Sequence, residues 1–128
     1  MVTEKSSMPH KLVVHCQRGS SYDVYVGRGR DPKTGELSVF GNTFSSKPSR
    51  LKTVLVKSRE DAILDYYEWL LDTRNSFVLD RVAKLEGMVL GCWCAPLDCH
   101  GDVMAMLANG EVDELGDYLE RLRRITGR

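Results

Sequence analysis

The sequence has no excess of charge of either sign, and this absence argues against several functions. Its 18 basic residues balance 18 acidic ones, so the formal net charge is zero. General nucleic-acid binders and membrane-surface binders usually carry a basic excess, and we expect neither kind of partner. With 42% apolar and 28% charged residues, the 128-residue chain has the composition of one globular domain.

Long apolar segments are also missing. No stretch approaches the length that a transmembrane helix needs. The first seven residues are polar and lack the apolar core of a secretory signal peptide. We therefore expect a cytoplasmic protein whose four cysteines stay reduced, because disulfides are uncommon in that compartment. Free thiols or metal ligands are the roles that this context favours.

Three short apolar runs predict strands. Residues 11–16 and 23–27 are rich in β-forming side chains, and the pair could form a hairpin or the second could begin a sheet edge. Residues 88–93 are almost unbroken apolar, which is typical of a buried central strand. Residues 28–48 are irregular, with one short strand expected near residues 37–40.

Four amphipathic segments predict helices. Ser58 is a candidate N-cap for the first and Ser76 for the second, which should end before Gly87. A third follows residue 98, and the fourth covers about residues 111–125. Strands separated by helices predict an α/β fold, with a small, partly parallel sheet of three to four strands flanked by about four helices. We expect residues 1–10 to form a flexible lead-in and residues 11–128 to form a single domain.

The last helix has an apolar face that needs a partner. Its members recur at helical spacing: Leu115, Tyr118, Leu119, Leu122 and Ile125. Such a face could form a homodimer. Packing on the protein's own sheet is the interpretation we favour, because amphipathic helices normally pack that way.

Reactive side chains are densest at residues 92–102, which read CWCAPLDCHGD. This segment should run from the end of a buried strand into a helix N-terminus, where α/β sheets form ligand crevices and helix dipoles favour anions. Cys99 near the helix start should have a depressed pKa, and the same dipole should keep His100 neutral. Asp102 would either orient His100 or cap the helix, whereas Trp93 is expected in the core.

Metal binding is an alternative use of the same side chains. Cys92, Cys94, Cys99 and His100 are all residue types that bind zinc. Adjacent helical residues such as Cys99 and His100, however, point about 100° apart. The chain also lacks the two separated cysteine pairs of common zinc sites. We therefore expect no metal or other cofactor and keep zinc as the alternative.

An arginine-glycine segment follows the second predicted strand. Gly29 would let the backbone approach a ligand, and Arg28 could hold phosphate through two parallel hydrogen bonds. Asn42 is a candidate for hydrogen bonding to a base or sugar. Cys94 and Gly101 complete the predicted ligand contacts.

These motifs together resemble a known family. The segments VYVGRG (residues 24–29), FGNTF (residues 40–44) and CWCAPLDCHGD resemble the domain of unknown function 4326, which occurs in bacteria and phages. The resemblance covers about residues 12–109 and leaves the last helix outside. The family usually has proline where this chain has Thr43. No established activity is implied by the resemblance.

Two functions are compatible with these patterns. In the first, the domain binds a nucleotide or other phosphorylated small ligand at the strand ends, with Cys99, His100 and Asp102 available for chemistry on it. In the second, the domain is a non-catalytic phage or bacterial accessory module that binds a protein partner or sequesters a signalling molecule. Its cysteines would then stabilise the fold, with or without zinc.

Overall fold

Four short strands come first along the chain, and four helices with one further strand follow. A computed structural model describes residues 12–18, 21–48 and 53–128, so the predicted lead-in at residues 1–10 lies outside the described residues. In chain order the elements are β1 (Val13–His15), β2 (Val24–Tyr25), β3 (Phe44–Ser45), β4 (Val54–Leu55), α1 (Arg59–Leu71), a 3₁₀ turn (Thr73–Asn75), α2 (Ser76–Ala83), β5 (Leu90–Cys92), α3 (His100–Ala108) and α4 (Val112–Thr126).

Three parallel strands form the main sheet, in the order β1-β5-β2. Val13 and Val24 both lie opposite Leu90, so β5 separates the two N-terminal strands. A hairpin between β1 and β2 is therefore wrong. All residues of β5 are buried, and this confirms residues 88–93 as the source of the central strand. The partly parallel α/β fold expected from the sequence is confirmed.

A second, smaller sheet was not predicted. It pairs β3 with β4 in parallel, through the registers Phe44 to Val54 and Ser45 to Leu55. Two-residue strands inside an irregular stretch leave no alternating pattern to detect. The strand expected near residues 37–40 is reduced to one antiparallel bridge between Arg30 and Leu37.

Of the two serines predicted to cap helices, one does so. The Ser58 side chain accepts a hydrogen bond from the Asp61 N–H at 3.0 Å, which confirms it as the cap of α1. Ser76 is instead the first residue of α2. The preceding 3₁₀ turn runs directly into this helix and is itself capped by Asp72, so no serine cap is needed at that point.

The helix α4 packs on α1 and α3 rather than on the sheet. Leu115, Leu119 and Leu122 are buried in a cluster of side chains from these three helices, which we call the helical layer; its other buried members are Ile63, Leu64, Val103 and Met106. Ile125 is 57% exposed and lies outside it. The face suggested for a homodimer is thus largely used within the chain.

A second apolar cluster surrounds the main sheet and joins it to α1, α2 and α3. Its buried members include Val13, Val26, Phe40, Tyr66, Leu70, Val78, Val82, Leu85, Leu90, Cys92, Cys99 and Met104. In the part of the chain that the structure describes, no helix is both long and apolar enough to cross a membrane.

Candidate functional site

A cleft of about 300 Å³ opens at the carboxyl ends of β2 and β5. Gly27 and Arg28 follow β2, whereas Trp93 and Cys94 follow β5, and all four line the cleft. Because both strands run in the same direction, their chain ends meet at one edge of the sheet, where α/β proteins usually bind ligands. The predicted crevice thus coincides with a cavity.

Three cations line this cleft, and two of them were not predicted. Arg28 was expected, whereas Lys47 comes from the loop after β3 and Arg59 is the first residue of α1. The sequence held one usable signal for Arg59. A cation in the first turn of a helix opposes the helix dipole, and such a local conflict often has a functional reason.

Two helix N-termini also lie at the cleft, and each carries at least one acidic residue in its first turn. Arg59 begins α1, and His100 begins α3, and both residues line the cavity. The exposed N–H groups of a helix start carry partial positive charge. The α3 start was predicted from the sequence. The α1 start lies about forty residues away in the chain and reaches the cleft only through the fold.

One carboxylate in the cleft wall is already paired. Asp98 lines the cavity, and both of its oxygens accept hydrogen bonds from Arg121 of α4, at 3.0 and 3.2 Å. Its backbone carbonyl also accepts a hydrogen bond from Arg59 at 3.3 Å. The negative charge of Asp98 is therefore offset by a cation outside the cleft, leaving the lining cationic.

Aromatic rings stand at the mouth of the cleft. Trp93 was expected in the core but is 47% exposed. Successive side chains of an extended chain point to opposite sides, and at the end of β5 it is Cys92 that points into the core. Its indole N–H donates to the Tyr25 hydroxyl at 2.9 Å, and that hydroxyl donates to the Arg28 carbonyl at 2.6 Å. Phe44 is a further ring in the lining.

The cleft floor carries three cysteines in mutual contact. Cys92 and Cys99 are buried, whereas Cys94 is partly exposed, and none of them forms a disulfide. Hydrogen bonds from the Cys92 and Cys99 thiols lower the pKa of Cys94, and the nearby Arg59 and His100 act in the same direction. Thiol contacts and burial raise the pKa of Cys99. The depressed pKa predicted for Cys99 therefore belongs to Cys94, which also lines the cleft.

His100 is buried beside these thiols. Its Nε2 lies 2.7 Å from the Val26 carbonyl oxygen, which can only accept, so Nε2 carries a proton. The Tyr66 ring contacts the imidazole edge-on at 4.8 Å. Burial lowers the pKa of His100, in keeping with the neutral imidazole expected from the sequence.

Two predicted site residues belong to the first turn of α3 and do not line the cleft. Asp102 accepts hydrogen bonds from the Cys99 N–H at 3.1 Å and from the Tyr118 hydroxyl at 2.7 Å, so it caps the helix. Gly101 is buried, and a Cβ there would lie 3.2 Å from Val13. Neither residue lines the cleft. The capping alternative for Asp102 is the one that the geometry supports.

Two other predicted contacts are displaced from the ligand space. Asn42 lines the cleft, but its Nδ2 donates to the Ala62 carbonyl and its Oδ1 accepts from the Phe44 N–H. These bonds indicate that it positions the cleft wall. Gly29 has φ of 72° and lines a separate apolar groove beside Leu37, Val39, Trp69 and Phe77.

Comparisons with known proteins identify the family but no activity. A family model described as "Domain of unknown function (DUF4326)" matches residues 11–110. The chain belongs to this family. The family resemblance seen in the motifs is thereby confirmed, and α4 lies beyond the matched segment.

One relative comes from Enterobacteria phage T4. It is named "Uncharacterized 12.4 kDa protein in nrdA-td intergenic region" and is 26% identical over 96 residues, which cover 75% of this chain and 67% of the relative. No solved structure matches the chain. Membership of the DUF4326 family therefore leaves the function to be argued from the cleft.

Proposed function

We propose that this DUF4326 protein binds a nucleotide or a similar phosphorylated small ligand in the cleft at the strand ends. The observation that carries the proposal is the convergence of Arg28, Lys47 and Arg59 on one cavity. Arginine and lysine are the usual partners of phosphate groups, and two helix N-termini at the same place favour an anion further.

The size and rim of the cleft favour a mononucleotide. A volume of about 300 Å³ is at the lower end of the range for small-molecule pockets, which suits one nucleotide better than a dinucleotide. Trp93 and Phe44 offer aromatic surfaces at the mouth against which a base could stack. The phosphate would then lie deeper, between Arg28 and Arg59.

The test is ligand binding by a charge variant with a matched control. We expect nucleoside 5′-monophosphates to raise the melting temperature, and Arg59→Ala to weaken their binding about 10- to 100-fold in calorimetric titrations, the usual size of a lost charged hydrogen bond. Arg30→Ala is the control, because Arg30 is exposed and lies outside the cleft. Unphosphorylated nucleosides should bind much more weakly.

The result can also reject the proposal. Equal affinity in the wild type, Arg59→Ala and Arg28→Ala would show that the cleft cations do not hold the ligand. An absence of saturable binding by nucleotides and by inorganic phosphate would favour the non-catalytic accessory module instead.

A further inference from the structure

The three thiols and the imidazole at the cleft floor form a compact set of metal donors. A sulfur of Cys92, a sulfur of Cys99 and a ring nitrogen of His100 all lie within 4.8 Å of one another, and all three residues are buried. The Cys94 thiol lies beside the thiols of Cys92 and Cys99 and lines the same cleft. It is therefore placed to supply a fourth donor at the edge of this three-donor set.

The objection from sequence spacing does not hold in the structure. Cys99 and His100 are neighbours, and neighbouring helical side chains diverge. Cys99 is the N-cap, however, with extended backbone angles of φ −156° and ψ 170°. Its side chain therefore does not follow the helical rotation, and it converges with His100 on the same space.

We infer that Cys92, Cys94, Cys99 and His100 bind one zinc ion. Three sulfurs and one nitrogen are a common donor set of tetrahedral zinc sites, whereas calcium and magnesium require oxygen ligands. Zinc–sulfur bonds of about 2.3 Å place tetrahedral donors roughly 3.8 Å apart. The donor atoms of Cys92, Cys99 and His100 lie within 4.8 Å of one another, so each pair needs to close by at most about 1 Å to reach this separation. On binding, zinc replaces the thiol protons, which pass to solvent.

The surroundings fit an occupied site. Metal-bound histidines almost always donate their second N–H to a carbonyl or carboxylate, and the contact from His100 Nε2 to the Val26 oxygen has this form. Three thiolates with one Zn²⁺ carry a single negative charge, and Arg59 lies close enough to act on Cys94. All four donors line the cleft, which provides an entry path.

Metal analysis with a matched cysteine control tests this inference. Protein purified under reducing conditions should contain about one zinc per chain. Cobalt in place of zinc should give thiolate-to-metal charge-transfer bands and the intense visible bands of tetrahedral coordination. Cys94→Ser should weaken zinc binding at least roughly 100-fold, since lost outer contacts alone cost 10- to 100-fold. Cys94 suits this test because it is partly exposed, so its substitution disturbs the core least.

Cys16→Ser is the control, because Cys16 does not line the cleft that holds the other three cysteines, and its substitution should leave the zinc content unchanged. A second measurement does not depend on variants: maleimide labelling of the native wild type, read by mass spectrometry, should modify fewer thiols with zinc than after chelation. Less than a tenth of an equivalent of zinc, unchanged affinity in Cys94→Ser, no thiol protection, or iron with sulfide at these cysteines would each overturn the inference. Nucleotide binding through Arg59 could survive that outcome, so the two proposals fail separately.

Discussion

The helical layer and the carboxyl edge of the main sheet are buried to a similar degree but are filled by different residues. The layer contains apolar side chains such as Leu115, Leu119 and Leu122, all at most 7% exposed. The sheet edge buries His100 and Asp102 at 5% and 8% exposure. Burying polar groups is costly unless each one is hydrogen-bonded, and at this edge both are.

This difference separates a part of the molecule that stabilises the fold from a part that forms the candidate site. Apolar residues can be buried at a lower cost in free energy than polar groups. Polar groups are therefore retained in a protein interior mainly where they stabilise a helix start or form a ligand site. Substitutions in the two regions should therefore have different consequences for stability and for binding.

The largest effect on stability should come from the helical layer. Leu122 is fully buried, and Leu122→Ala should lower the free energy of unfolding by about 2–5 kcal/mol through lost contacts and a cavity. Ile125→Ala on the same helix, at an exposed position, should change it by no more than about 0.5 kcal/mol. Urea unfolding measures both. Equal losses would show that the layer is not the stabilising region, and nucleotide affinity of the folded protein should be unaffected in both variants.

A moderate effect is expected at the start of α3. Asp102→Ala removes the acceptor for the Cys99 N–H and the Tyr118 hydroxyl, and it should cost about 1–3 kcal/mol of unfolding free energy. Tyr118→Phe removes one of these bonds and should cost about 0.5–1.5 kcal/mol. The same denaturation assay separates them. If Tyr118→Phe lowers the free energy of unfolding as much as Asp102→Ala does, the bond from the Cys99 N–H to Asp102 contributes nothing to stability.

The smallest effect on stability, with a distinct effect on binding, is expected at Arg121. Its ion pair with Asp98 is largely exposed, so Arg121→Ala should change the unfolding free energy by at most about 1 kcal/mol. The unpaired Asp98 carboxylate would then repel an anion in the cleft. Nucleotide affinity should fall, most clearly at low salt, whereas the exposed Arg124→Ala on the same helix should leave it unchanged. Unchanged affinity in Arg121→Ala would show that charge balance in the cleft wall does not matter.

Sequence reasoning predicts which elements this fold contains better than it predicts which elements lie side by side. The strands β1, β2 and β5 and the start of α1 follow from local composition, because period and capping are local properties. The position of β5 between β1 and β2 depends on long-range pairing, which no local pattern encodes. The packing of α4 on helices rather than on the sheet was missed for the same reason.

The candidate site is predictable where its residues follow a strand that the sequence reveals. Arg28, Cys94, Cys99 and His100 were predicted and line the cleft. Arg59 was not, because it reaches the cleft from a distant helix. The lowered pKa was predicted for the wrong cysteine, because hydrogen bonds with the Cys92 and Cys94 thiols and burial raise the pKa of Cys99.

The parallel pairing of the main sheet has a consequence for folding during synthesis. His15 lies opposite Cys92, and Val24 lies opposite Leu90, so both N-terminal strands pair with a segment made much later. Contacts between residues far apart in sequence form slowly, and a domain on the ribosome folds as its parts emerge. The nascent chain must carry β1 and β2 unpaired until β5 arrives. The side of the cleft that Arg28 lines and the floor that Cys92 and Cys94 form can therefore come together only after β5 has been made.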